Sequence, residues 1–339
     1  MSTVITLPNK KLYGVLLDLS GMFPKGSAEM PIGIHVKNGK FKVVCLQGIV
    51  YQATLDLDDE YLDINIDTTI LYHDICVMLD KDSSTDISFE PTVVSFTGYD
   101  FQADFQLGYS SVEEQHFDDV IYKDITNQSY VEGLKTLNKA GLDKLYKLFE
   151  PVIIDNDIAL QKYPNTWIQV RAIGLSFEAV LDIEHTKLLT KFKPSAYSDD
   201  LAGSILFKNN RAILQLPAKN NNSTGNILDL MKDFDTCVTL DIEKYVERIR
   251  AASKITTAPH CKITVFEKGL KTTIRQNNSE VSVSTGNTSG LVKKVCHIPL
   301  LVWMTFLKCL DAKIIQVLTG GDNLCLRTQS TIIVTRALT

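Results

Sequence analysis

A sixfold repeat constrains this chain more than any other feature. Segments with the caps and apolar spacing of amphipathic helices begin near Asn9, Thr69, Ser129, Asp182, Asp241 and Ile298, at intervals of 60, 60, 53, 59 and 57 residues. A nearly constant period signals one structural unit copied along the chain, and it decides the fold before any local reading does. The unit is clearest at 237–254, where Val238 to Leu240 read as strand and Asp241 as the N-cap of a helix. The Asp241 carboxylate can accept free amide protons of the first turn, and Glu243 sits where the helix dipole favours a negative charge. Ile242, Tyr245, Val246, Ile249 and Ala252 recur at helical spacing and form an apolar face. Lys244 and Arg248 share a different face. In the last unit Pro299 suits the first helical turn, where a missing amide costs nothing.

Between the helical segments the text alternates with period two. Ile32–Val36 and Phe41–Cys45 flank Asn38-Gly39, a strong hairpin signal. Val50–Leu55 and Leu62–Ile66 flank the acidic turn at Asp58–Glu60, and strands follow at 86–89, 92–96 and 101–107. The last third repeats the pattern at 262–266, 272–275, 281–284, 314–317, 323–327 and 332–335. Each unit is therefore a small sheet covered on one side by one helix. Such a unit closes its own core poorly, so units should fuse in pairs. Pairing gives an α+β chain of three similar domains, 1–118, 119–232 and 233–339, each near the usual domain size. The polar runs from Ser110 and from Lys219 mark the boundaries, although the second reads equally well as a hairpin loop.

With 45% hydrophobic and 22% charged residues the chain can bury a large core without disulfides. Its seven cysteines are scattered singly with no CxxC pair, as expected of free thiols in a reducing compartment. The N-terminus has no signal-peptide pattern, and the apolar run Ile298–Leu307 is too short to span a bilayer. No membrane association is expected.

Charge is unevenly placed. The six helical segments hold 15 Lys and Arg against 10 Asp and Glu, whereas the remainder holds 20 against 30. Three helices carry a basic pair four residues apart: Lys135 and Lys139, Lys187 and Lys191, Lys244 and Arg248. Any one pair reads as an ordinary solvated face. Three on equivalent units read as a basic surface segregated on an acidic protein, which suits weak phosphate-backbone contact.

Six strand–helix–strand units, fused as three two-helix domains, resemble the bacterial-type DNA polymerase sliding clamp. The first third follows that family's order most closely: Ile5–Leu7, the Asn9 helix, the long hairpin at 32–56 and the closing strands to Leu107. The final strand at Ile332–Thr335 fits as well. The resemblance implies the DNA clamp fold, with helices lining a ring and sheets outside, and a head-to-tail homodimer that encircles double-stranded DNA without reading bases. It implies that Lys10, Lys11, Lys135, Lys139, Lys187, Lys191, Lys244, Arg248 and Lys254 face the hole. It also implies a pocket for short peptide motifs of a DNA polymerase and a clamp loader, at Ala172, Gly174, Leu175 and Phe177 with Val334, Arg336, Ala337 and Leu338. The hairpin after Phe177 is shorter than the family's, and the divergence points to a bacteriophage protein in a bacterial cytoplasm or infected cell.

No Gly-rich phosphate loop, HExxH, CxxC pair or Gly-x-Ser-x-Gly elbow occurs, so no enzyme, cofactor or metal is expected. His73-Asp74, and His116 with Asp118 and Asp119, fall short of three local ligands. Trp167 and Trp303 are expected in cores. Two alternatives stay open: a monomeric, open processivity factor holding DNA by one basic face, and a β-rich structural or virion protein built by duplication.

Overall fold

The chain begins with strand β1 (Thr3–Pro8) running directly into helix α1 (Asn9–Met22), the first strand–helix junction of the repeat. The structure, a computed structural model, describes residues 3–22, 31–46, 48–58, 61–71, 84–98, 102–106, 112–140, 147–148, 150–219, 227, 231, 234–277, 279–310 and 312–336. These residues form two compact units, Met1–Thr126 with Lys191–Ala218, and Asn127–Thr190 with Lys219–Thr339. The stretch read from sequence as 119–232 thus contributes to both.

In the first unit, β2 (Pro31–Lys37) and β3 (Lys40–Leu46) are joined by Asn38 and Gly39, at φ 53° and 67°. Both values are left-handed, as a type I′ turn requires, and Lys37 accordingly pairs with Lys40. With β4 (Val50–Asp56) and β5 (Asn65–Leu71) they make half of an eight-stranded sheet. A second group supplies the other half: β9 (Lys123–Asp124), β14 (Ala196–Ser198), β15 (Ser204–Lys208) and β16 (Ala212–Pro217). The join is antiparallel pairing of β4 with β16, from Val50 opposite Gln215 to Ala53 opposite Ala212. A separate four-stranded sheet, in order β1-β6-β7-β8, adds β6 (Ser84–Phe89), β7 (Val93–Thr97) and β8 (Gln102–Gln106). Helix α1 buries Leu12, Val15 and Leu19 and packs on β1 and β4. The residues after Ser110, read as a linker, are strapped to the sheet from Val112 onward. Val112 donates its amide to Thr69 Oγ1 (3.0 Å), its carbonyl lies 2.9 Å from His35 Nε2, and Lys42 pairs with Glu114.

The second unit repeats the plan. Strands β10 (Val152–Asp155), β11 (Ile158–Tyr163), β12 (Thr166–Arg171) and β13 (Glu178–Leu181) form one half-sheet. The other half comprises β17 (Asp235–Asp241), β20 (Ile314–Gly320), β21 (Asn323–Arg327) and β22 (Thr331–Arg336). Pairing of β12 with β22, from Thr166 opposite Thr335 to Val170 opposite Thr331, makes the order β13-β10-β11-β12-β22-β21-β20-β17. Helix α2 (Ser129–Ala140) packs on β11 and β12. Helix α3 (Ile183–Phe192) follows β13, and α4 (Glu243–Lys254) follows β17. Helix α5 (Leu300–Cys309) is the most apolar and buries Trp303 and Phe306 completely. Helices α4 and α5 cover a two-stranded ribbon of β18 (His260–Gln276) and β19 (Ser279–Pro299).

Several boundaries differ from the sequence reading. The helix expected from Thr69 does not start there: Thr69, Ile70 and Leu71 end β5, paired with Gly33, Ile32 and Pro31, and the rest of that segment lies outside the described residues. The β-branched residues Thr68, Thr69 and Ile70 suit a pleated surface better than a helical turn. The strand expected from Leu62 starts at Asn65, because 61–64 form a turn closed by Ile64 N–H to Tyr61 O (3.3 Å). Asp241 closes β17 and is not the N-cap of α4: that position is Ile242, which has no side-chain cap, and the Asp241 Oδ1 accepts the Glu243 amide (3.0 Å) from one residue before it. Pro299 ends β19 just before α5 and does not lie inside the helix. The separate short strands expected between 262 and 284 are parts of the two long ribbon strands. A register jump, Phe266 opposite Val292 but Lys268 opposite Asn287, leaves Thr288–Leu291 bulging from the ribbon. Trp167 is partly buried against an apolar cluster.

Candidate nucleic-acid interface and docking surface

Helices α1, α2, α4 and α5 pack against strands, and the cations of α1 and α4 among the described side chains are exposed. On α4, Tyr245, Ile249 and Ala252 are buried, and Lys244, Arg248, Arg250 and Lys254 are exposed. None of these four carries an ion pair among the described residues. Arg250 does not stand out in the sequence, because it lies off the four-residue spacing of Lys244 and Arg248. Its exposure follows only from how α4 docks. Glu243, at the start of α4, instead holds Lys313 (3.1 Å).

The lysines of α2 and α3 differ. Lys135 pairs with Glu132 (2.7 Å) and Lys187 with Glu184 (2.6 Å), each one turn apart. Such exposed pairs are worth less than about 1 kcal/mol, so they reduce the local field without locking the side chains. The Lys139 side chain lies outside the described residues, and Lys191 is exposed near the end of α3. In the first unit Lys10 and Lys11 are exposed on the first turn of α1. Farther along α1, burial holds the Asp18 carboxyl above its usual range, and the Arg211 charge partly offsets this. That guanidinium also packs over α1, where a Cβ on Gly14 would lie 2.9 Å from Arg211 Nη1.

The residues expected to form a peptide pocket separate into two groups. Ala172 is exposed at φ 55°, and its carbonyl accepts from Ser129 Oγ (2.5 Å). Gly174, at φ 75°, donates its amide to the Asp157 carboxylate, and a Cβ there would sit 2.7 Å from Asn127 O. Leu175 and Phe177 are 0% and 2% exposed, so their side chains pack inward. Val334 belongs to an apolar cluster with Leu160, Leu318, Cys325, Ile332 and Ile227, flanked by Ile153, Trp167, Met231 and Phe234. Arg336 is exposed at the end of β22, and Ala337 and Leu338 lie outside the described residues.

The side chains of this sheet face line up in cross-strand columns, since residues opposite one another in an antiparallel pair share a face. One column runs Leu160, Gln169, Ile332, Arg327 and Gln316, and the next runs Trp167, Val334, Cys325 and Leu318. A cleft of about 680 Å³ opens beside them, lined by Thr239, Gln316, Arg327, Thr328 and Ser330 among others.

Two eight-stranded sheets, each built from two half-sheets, with helices packed against strands, define the class: an α+β DNA clamp fold. Comparison with solved structures makes this specific. A Helicobacter pylori beta clamp in complex with 3,4-difluorobenzamide matches with TM-score 0.80 and 12% identity, over 99% of this chain and 100% of that one. The DNA polymerase III subunit beta of Pseudomonas aeruginosa matches with TM-score 0.80 and 10% identity, over the same shares. A Helicobacter pylori beta clamp bound to a DNA ligase peptide matches with TM-score 0.77 and 12% identity, again over 99% and 100%. No family model and no curated protein matches the sequence. The chain has the fold of the bacterial beta clamp. Among the described residues no helix is long and apolar enough to cross a membrane.

Proposed function

We propose that this protein is a DNA sliding clamp, a non-enzymatic processivity factor of three domains near 1–118, 119–232 and 233–339. Two copies would close head-to-tail around duplex DNA in the cytoplasm, and a viral source rests on divergence alone. The observation that carries this reading is the full-length likeness to beta clamps at TM-score 0.80. The exposed Lys10, Lys11, Lys244, Arg248 and Lys254 support it, with Lys135, Lys139, Lys187 and Lys191 completing the surface presented to phosphates. A ring needs no tight binding, because topology keeps it on DNA while screened contacts let it slide. Partner proteins would dock by short peptides, as the ligase peptide does on the Helicobacter pylori clamp, around Ala172, Gly174, Leu175, Phe177, Val334, Arg336, Ala337 and Leu338.

Light scattering at micromolar concentration tests ring closure, with an expected mass of twice 37.9 kDa. Retention on nicked circular plasmid in high salt, with loss on linearisation, is the expected behaviour of an encircling ring. A monomer whose DNA binding vanishes with salt on both substrates would overturn encirclement in favour of an open processivity factor.

A further inference from the structure

Three buried polar residues of the half-sheet β5-β2-β3-β4 lie beneath one strap. Thr69 on β5, His35 on β2 and Gln52 on β4 are 5%, 5% and 6% exposed. Buried polar groups need partners, and here the segment that follows the first domain's strands supplies them. Val112 donates its amide to Thr69 Oγ1, and its carbonyl lies against His35 Nε2. Glu114 pairs with Lys42 on β3, and the Gln115 amide donates to Gln52 Oε1 (3.1 Å). Residues 112–115 therefore cross β5, β2, β3 and β4 in the order in which those strands lie in the sheet. Gly33 lets the strap lie close, since a Cβ there would sit 2.7 Å from Val112 O.

Beyond β4 the chain continues to β9, at the far edge of the same sheet. Lys123 and Asp124 pair with Tyr197 and Ala196, and Lys123 Nζ holds the Asp199 carboxylate (2.5 Å). Ile125 donates its amide to Ser195 O (2.7 Å). The connector is thus pinned on both sides of the seam between β4 and β16. That seam carries four residue pairs, against seven for β3–β4 and five for β15–β16, so the sheet bends most easily there.

The clasp on the β4 side is built to let go. Val112 is the one apolar residue among 112–115, and the other contacts are hydrogen bonds and an ion pair. Such contacts exchange for water at small net cost when both partners are wetted together. In the second unit the connector after β16 packs Ile227, Met231 and Phe234 on an apolar cluster instead. Releasing that contact would expose apolar surface to water.

We propose that residues 112–125 form a releasable tie across the β4–β16 seam. With the clasp made, the two half-sheets move as one; with it broken, the first unit bends at the seam. The tie belongs to one unit and stands whether or not two copies form a ring.

The test is hydrogen exchange read by mass spectrometry on the full-length protein. Glu114→Ala should speed exchange over 112–116 by about tenfold, the effect of losing a charged hydrogen bond. It should also speed exchange in both seam strands, 50–53 and 212–215, by at least about threefold, as local opening requires. The β12–β22 seam, 166–170 with 331–335, should keep its wild-type rates. Lys42→Met should act in the same way, and the exchanged pair Lys42→Glu, Glu114→Lys should restore the wild-type rates. Faster exchange over 112–116 with the β4–β16 seam unchanged overturns the tie and leaves only a surface strap. Equal acceleration of both seams overturns it as well, because the loss is then global. Unchanged rates throughout overturn the clasp itself.

Discussion

Cys45, Cys261, Cys296, Cys309 and Cys325 are buried free thiols. Burial pushes Cys45, Cys261 and Cys325 up to about 12, and Cys296 to about 11. The thiolate is the reactive form, so these groups should be inert in the folded chain at mildly alkaline pH. Of the seven cysteines, at most two are therefore expected to react with a disulfide reagent in native buffer, and all seven in guanidinium chloride. Fast reaction of more than two would show that the cores are not closed. Gly174 makes a sharper case. Its φ of 75° and the 2.7 Å approach to Asn127 O leave no room for a Cβ. Gly174→Ala should cost about 1–3 kcal/mol, read as a lower urea midpoint with an unchanged slope. An unchanged midpoint would mean that the loop relaxes freely. The sequence shows the glycine but not its reason, because Asn127 and Asp157 approach it only in three dimensions.

At the scale of elements, α4 separates the exposed cations from those neutralised on their own helix. Lys244 and Arg248 have no acid partner among the described residues, whereas Lys135 is tied to Glu132. The double substitution Lys244→Glu, Arg248→Glu should weaken binding to duplex DNA. It should also reduce the slope of log affinity against log salt by roughly 0.9 for each phosphate that the protein no longer neutralises. Lys135→Glu should have the smaller effect. Anisotropy titrations at several salt concentrations decide the matter, and an unchanged slope in the double variant would remove α4 from the interface. The four helices α1, α2, α3 and α4 are legible in the sequence because caps and apolar spacing agree within a few residues. The Thr69 start misleads because Thr69–Leu71 carry helix-like spacing and strand-like branching together, and pairing with β2 decides for the strand. The continuous β18–β19 ribbon is hidden because a register jump and its bulge interrupt the alternation.

For the whole molecule, the repeat period carries most of the fold. Six units at intervals of 53 to 60 residues limit the chain to duplicated sheet-and-helix architecture, and likeness to the beta clamp at 10–12% identity bears this out. What alternation cannot supply is which strand lies beside which. Joining β4 to β16 and β12 to β22 brings together residues more than 150 positions apart, and any strand with one apolar face satisfies the same pattern. Strand order also decides the clasp. His35, Lys42, Gln52 and Thr69 look like ordinary strand residues in the sequence, and become one set of partners for the strap only when β5, β2, β3 and β4 lie side by side. By itself the sequence determined the repeat, the helices α1 to α4, the turn at Asn38-Gly39 and the segregation of charge, because these depend on neighbours within a turn or a hairpin. Tertiary structure alone decided which side chains are buried and which cations stay unpaired, because burial and unmet hydrogen bonds depend on groups distant in the chain.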